Sequence, residues 1–226
     1  MPQTFFITGT DTGVGKTLVS CTLINACIAR GLKVSGMKPV ASGSEQTGQG
    51  LRNSDALALQ QAANVVADYD TINPYCFEPA IAPHLAAQQA GTSIELPVLQ
   101  RAYRMLAVRS EVVVVEGAGG WRVPLAPSGY LSDFPEAEQM AVVLVVGLRL
   151  GCLNHAVLTA EAIQSGPCNL VGWVGNLIDP QFALLQQNLD TLRDRLAAPC
   201  LGVLPHAAAP DARAFSKLLK VDELLG

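Results

Sequence analysis

The stretch Gly9-Thr10-Asp11-Thr12-Gly13-Val14-Gly15-Lys16-Thr17 decides how the rest of this 226-residue chain is read. It follows the apolar run Thr4–Thr8 and opens residues 17–30, whose apolar positions recur at helical spacing. Strand, glycine-rich loop and helix, in that order, build a phosphate cradle. The glycines let successive backbone N–H groups converge on one anion, and the helix N-terminus adds partial positive charge. Lys16 is then placed to neutralise the β- and γ-phosphates of a nucleotide, and the Thr17 hydroxyl to ligate Mg²⁺. As a loop residue, Lys16 is expected to sit in solvent, outside the core. The spacing departs from the standard loop. Gly9 stands six residues before Gly15, and Thr10 occupies the position where the standard form has glycine.

Outward from the loop, strand and helix patterns alternate. Lys33–Met37, Val112–Val115, Met140–Gly147, Asn169–Asn176 and Cys200–Leu204 read as strands. Helices are expected from Ser54-Asp55 onward and over Ile94–Arg109, Asn154–Gln164, Gln181–Leu196 and Ala212–Leu219. Ala41–Asn53 reads as an exposed loop, and Asn73–Pro83 as irregular. Uniformly apolar, β-branched strands suit a parallel sheet covered on both faces. The expectation is one α/β domain over residues 1–226, a three-layer P-loop NTPase-type fold with a mostly parallel central sheet and helices on both sides. Ligands of such sheets gather at the carboxyl ends of the strands, which singles out the loops 9–16, 38–43, 116–120, 147–154, 176–180 and 205–211.

Composition narrows the function. Hydrophobic residues make up 50% of the chain and charged residues 15%, which supplies a large core and excludes intrinsic disorder. The net charge of −4 argues against a nucleic-acid or anionic-membrane partner, and 5% aromatic content against a base-stacking surface. The N-terminal residues lack a basic, then apolar, leader pattern, and no apolar run reaches the roughly 20 residues that span a bilayer. A cytoplasmic protein is expected. The six cysteines form no C-x-x-C pair, so they are expected as reduced, packed thiols.

Three further stretches carry chemistry. Val112–Val115 ends in Glu116-Gly117-Ala118-Gly119-Gly120, an acid at the end of a buried strand, where a phosphate-loop enzyme holds Mg²⁺. A solvated strand-end acid followed by a plain turn is the bland counterpart. Lys38-Pro39-Val40-Ala41-Ser42-Gly43 sets a second lysine on the same rim as Lys16, in a chain with only five lysines, and Ser42 beside it. Asp55 follows at a helix start, either complementing the helix dipole or serving the metal. Gly147–His155 carries a glycine turn into a helix whose cap is expected at Asn154, a second anion-binding helix start.

Together these residues resemble the dethiobiotin synthetases, ATP-dependent ligases of biotin synthesis. The resemblance runs over nearly the whole chain. It is carried by Thr8–Thr12, Val14–Thr17, Lys38–Gly43, Leu51–Ala56, Asn73-Pro74-Tyr75, Pro83-His84, Glu116–Trp121 and Gly151–His155. The longer loop before Gly15 belongs to the family pattern. Gly13 departs from it, standing where some relatives carry Glu, and the tail beyond Pro205 follows it weakly.

The resemblance implies that 7,8-diaminononanoate, CO₂ and ATP yield dethiobiotin, ADP and phosphate through an N7-carbamate and a carbamic–phosphoric anhydride. It implies Lys16, Lys38 and Thr12 as catalytic groups. Mg²⁺ would be held by Thr17, Asp55 and Glu116, and the carbamate end by Thr12, Lys38 and Ser42. The nucleotide would lie against Gly13, Val14, Gly15, Lys16, Thr17, Leu18, Asp55, Glu116, Gly117, Ala118 and Gly119. Its base would meet Asn176, Leu177, Pro205, His206 and Ala207. The substrate's far carboxylate would meet Gly151, Cys152, Leu153 and Asn154 from the partner subunit of a homodimer.

Two other readings are weaker. A cobyrinic-acid-type amide synthetase needs a glutaminase domain for which 226 residues leave no room. A nucleotide switch of the partition or septum-placement type carries an extra Lys near the start of the loop, and none lies between Gly9 and Gly15.

Overall fold

The structure is a computed structural model that describes residues 2–126 and 129–226. Its frame is a six-stranded, fully parallel sheet of β1 (Gln3–Gly9), β2 (Val34–Met37), β3 (Val112–Glu116), β4 (Ala141–Leu148), β5 (Leu170–Leu177) and β6 (Cys200–Leu204). The spatial order is β6-β5-β4-β1-β3-β2. The valine-rich strands β3 and β4 lie next to β1, and every residue of β3 is buried.

Alternation along the strands sorts the core into two faces. Phe5, Ile7, Val112, Val114, Val143 and Val145 pack against helices α1 (Lys16–Ile28) and α2 (Ser54–Ala62). On the other side, Phe6, Val113, Val115 and Val142 meet α3 (Leu96–Ala107), with Leu99, Tyr103 and Leu106 as its buried stripe. Further along that side, Leu144, Val146 and Trp173 meet α4 (Cys152–Gln164) and α5 (Leu185–Arg195). Three layers result, as the strand composition predicts. At roughly 1.5–3 kcal/mol per fully buried large apolar side chain, these faces dominate the stability of the fold.

Several boundaries differ from the sequence expectation, each for a local reason. The region 41–53 is not all loop: Glu45–Thr47 and Gly50–Arg52 pair as an antiparallel hairpin, too short and polar to show an alternating pattern. α5 starts at Leu185 rather than near Gln181, because Leu184 adopts φ 54° and breaks the helical path. α4 starts at Cys152, so Asn154 lies inside the first turn. Its side chain makes no capping bond, and Gly151 at φ 95° takes the cap position. The six cysteines are all unpaired, and Cys21, Cys27, Cys152 and Cys168 are buried. No helix among the described residues is long and apolar enough to cross a membrane.

Candidate active site

Parallel pairing places the key side chains before any loop is considered. Met37 on β2 is in register with Val115 on β3, so Lys38, just beyond β2, and Glu116, the last residue of β3, come side by side. Ile7 on β1 pairs Glu116 from the other side, and β1 then runs into the phosphate loop. Val114 and Glu116 point to the face covered by α1. The Thr17 hydroxyl in the first turn of α1 donates to Glu116 Oε1 at 3.0 Å.

Lys38 lies between two carboxylates. Its Nζ donates to Glu116 Oε1 at 2.6 Å, to Asp55 Oδ2 at 2.9 Å and to the Gly117 carbonyl at 3.3 Å. Lys38 and Glu116 side chains are 5% and 1% exposed, whereas Asp55 is 38% exposed. Burial by itself would lower the Lys38 pKa, but the charges and hydrogen bonds of Glu116 and Asp55 outweigh it and raise the pKa above the ordinary lysine value. Burial also works against the Asp55 charge, and the Lys38 ammonium beside it more than compensates, holding that carboxyl below its usual range. Asp55 gets its place from α2, whose cap residue Asn53 accepts from the Asp55 and Ala56 N–H groups.

Lys16 is not the solvated loop lysine expected from sequence. It is 7% exposed, and its Nζ donates to the Asp11 carbonyl at 3.1 Å. Desolvation, aided by the neighbouring Lys38 charge, lowers its pKa to about 8. Gly15 caps α1 at φ 90°, and a Cβ there would overlap the Asn176 amide nitrogen. That nitrogen donates to the Val14 carbonyl at 2.9 Å, pinning the loop to β5.

Thr12, Gly13, Gly15, Lys16, Thr17, Lys38, Ser42, Asp55, Glu116, Ala118 and Gly119 all line one cleft of about 780 Å³ at the carboxyl ends of β1, β2 and β3. Leu177 and the segment Pro205-His206-Ala207 lie apart from it, at the adjoining ends of β5 and β6, where Asn176 pairs Leu204. Gly151, Cys152, Leu153 and Asn154 also stand outside the cleft. Their loop is tied to the phosphate loop by Arg149 Nη2 and Asp11 Oδ2, 2.6 Å apart. Sequence reasoning missed Arg122, which lines the cleft and stacks over Tyr130 at 5.6 Å. An arginine two residues after a glycine turn in an acidic chain is the available signal.

The donor set fits Mg²⁺. Among the described residues no cluster of three or more His, Cys, Asp or Glu exists, so this is not a protein-only metal cage. Glu116 Oε2 is a buried oxygen with no hydrogen-bond partner, beside the Thr17 hydroxyl and Asp55. Mg²⁺ bound beside nucleotide phosphates takes one or two carboxylates and completes its shell with phosphate and water.

A profile for the AAA domain family matches residues 3–213. The ATP-dependent dethiobiotin synthetase BioD of Pseudomonas paraeruginosa is 52% identical over 205 residues, 90% of each chain. That of Cellvibrio japonicus is 48% identical over 223 residues, 99% of this chain and 98% of its own. The chain belongs to the dethiobiotin synthetase family. In solved structures, the septum site-determining protein MinD of Pyrococcus horikoshii, complexed with Mg-ADP, superposes with a TM-score of 0.63. It covers all of this chain and 98% of its own at 15% identity, a likeness of fold alone. For this synthetase-family chain, the distant structural neighbour shares the architecture alone, and the near relatives carry the family assignment.

Proposed function

We propose that this cleft closes a cyclic urea at the expense of ATP, converting 7,8-diaminononanoate and CO₂ to dethiobiotin. The observation that carries the reading is the convergence of Lys16, Lys38, Asp55 and Glu116 in one cleft beneath a phosphate loop, in a chain half-identical to named dethiobiotin synthetases.

The chemistry requires two anions, a carbamate and a γ-phosphate, to approach one another, so cations must stand between them. N7 of the diamine adds to CO₂ and loses a proton, forming the carbamate. A carbamate oxygen attacks the γ-phosphorus and ADP leaves. N8 then attacks the carbonyl carbon of the mixed anhydride and loses a proton to the departing phosphate or solvent, phosphate leaves with the C–O electron pair, and the ring closes. Backbone N–H groups of Gly13, Val14, Gly15 and Leu18 and the Lys16 ammonium hold the phosphates. Thr17, Asp55 and Glu116 would hold Mg²⁺, which when bound would neutralise phosphate charge. Gly117, Ala118 and Gly119 let the backbone approach the same phosphates. Thr12, Ser42 and Lys38 bind the carbamate. Lys38 now spans the carboxylates the metal would take, so in the loaded enzyme its ammonium turns from Glu116 and Asp55 toward the two substrate anions.

Asn176, Leu177, Pro205, His206 and Ala207 flank the base. The Gly151–Asn154 helix start, absent from the cleft lining, takes the far carboxylate of the substrate bound to the other subunit of a homodimer. The enzyme is read as cytoplasmic. Phosphate release that requires both the diamine and CO₂ supports the reading. Release at the same rate with either omitted refutes it.

A further inference from the structure

Lys38 lies one residue beyond β2, so the sheet does not hold its backbone. Other groups do. The Lys38 N–H donates to the Ile72 carbonyl at 2.8 Å, and Asn73 Nδ2 donates to the Lys38 carbonyl at 2.7 Å and to the Tyr75 carbonyl at 3.0 Å. Asn73 Oδ1 in turn accepts from the Tyr69 hydroxyl at 3.0 Å. That hydroxyl also accepts the Asn53 N–H at 2.7 Å, and Asn53 is the cap of the helix bearing Asp55. Asn53, Asn73 and Tyr69 are 4%, 2% and 8% exposed, so water does not replace these bonds. Burial pushes the Tyr69 phenol up to about 12, which keeps the hydroxyl able to donate.

We infer that Asn73 and Tyr69 are positioning residues that lock the Lys38 backbone and the Asp55 helix cap into one register. Neither residue lines the cleft. Each acts through the residue it holds: Asn73 through Lys38, Tyr69 through both Asn73 and Asn53. This assigns a task to the Asn73-Pro74-Tyr75 stretch, which the phosphate and metal roles leave without one. A displacement of about 1 Å at a reacting group costs up to roughly a hundredfold in rate, so a clamp on Lys38 matters to turnover beyond stability.

The inference rests on Lys38 acting in the proposed reaction, and its test keeps the two claims apart. Asn73→Ala and Tyr69→Phe are made in the full chain, and three quantities are measured well below each melting temperature. These are amide hydrogen exchange of the peptides holding Lys38 and Asn53, kcat for dethiobiotin formation, and the MgATP dissociation constant without diamine. Expected are exchange at least about tenfold faster at Lys38 in Asn73→Ala and at Asn53 in Tyr69→Phe. kcat is expected to fall roughly 10- to 100-fold in both variants, with MgATP affinity within about threefold of wild type in Asn73→Ala, which leaves the Asn53 cap of the Asp55 helix in place. Unchanged exchange overturns the clamp. Faster exchange with wild-type kcat overturns the positioning role and leaves only a structural one. If Asn73→Ala does not fold, Tyr69→Phe decides by the same readouts. If the wild-type chain forms no dethiobiotin, the functional reading falls, and the exchange result still decides the clamp.

Discussion

Lys38 Nζ sits 2.6 Å from Glu116 Oε1 although the two residues are 78 positions apart in the chain, and both side chains are almost wholly excluded from water. This ion pair, with Asp55 as its third member, lies at the charged centre of the cleft. Its ammonium bridges the two carboxylates proposed to hold a divalent cation.

Removing Lys38 therefore has two consequences of opposite sign. Lys38→Met leaves a buried carboxylate unpaired and is expected to lower unfolding free energy by about 3–5 kcal/mol. The bared Glu116 and Asp55 are expected to gain affinity for Mn²⁺ in the absence of nucleotide, read by electron paramagnetic resonance, and Mn²⁺ is expected to restore part of the lost stability. Dethiobiotin formation is expected to drop about 30- to 1,000-fold, the loss of 2–4 kcal/mol of charge-assisted contact. Wild-type turnover in the folded variant contradicts the role given to Lys38.

Lys16 gives a pH dependence. With its pKa lowered to about 8 by burial, the free protein holds it protonated below that pH and neutral above it. Phosphate binding favours the charged form, so MgATP affinity is expected to fall as pH rises through about 8, and binding near that pH to take up a proton. Calorimetry in buffers of differing ionisation enthalpy reads the proton directly. For stability the sign reverses. Between about 8 and 10.5 the unfolded chain holds more protons at this site, so the contribution of Lys16 to stability rises with pH across that window. Lys16→Met is expected to melt higher than wild type below pH 8 while losing phosphate release. A lower melting temperature in that variant contradicts the assigned desolvation.

Gly15→Ala tests the loop geometry. The residue is held at φ 90°, and the new Cβ would overlap the Asn176 amide. Strain of at least about 1–2 kcal/mol is expected from the backbone alone, with nucleotide affinity down more than tenfold as Asn176 is pushed off Val14. Gly31→Ala, at φ 81° with open space around its Cβ, is the control that carries the strain without the loss of nucleotide. Equal nucleotide affinities in the two variants contradict the account.

The carboxylate of the diamine is expected to matter for binding and not for chemistry. Its amide should bind about 1.5–3 kcal/mol more weakly at unchanged kcat, measured by steady-state kinetics. Cys152→Ser should leave KM unaltered, since the proposed site uses backbone N–H groups. A fully active monomer in analytical ultracentrifugation contradicts the cross-subunit arrangement.

Much of this was legible from residue patterns. Val112–Val115 and Met140–Gly147 are apolar on both faces because helices cover both, so the parallel sheet follows from composition. The glycine loop lies between strand and helix as read. What local patterns do not carry is register. That Lys38 meets Glu116 depends on Met37 pairing Val115, a relation 78 residues long. The burial of Lys16 was hidden for the same reason, since the charged groups around it include Lys38, Glu116 and Asp55, distant in sequence, as well as Asp11 of its own loop. The Asn154 cap misled because glycine at φ 95° can begin a helix without any side-chain acceptor, and Gly151 stands three residues earlier.

The most direct measurement supplies the protein with 7,8-diaminononanoate, ¹³C-bicarbonate and MgATP, then determines the mass of the product and the phosphate released. The account predicts dethiobiotin carrying one ¹³C in its ureido carbonyl, with one phosphate and one ADP per ring closed. Phosphate release without labelled dethiobiotin would contradict it.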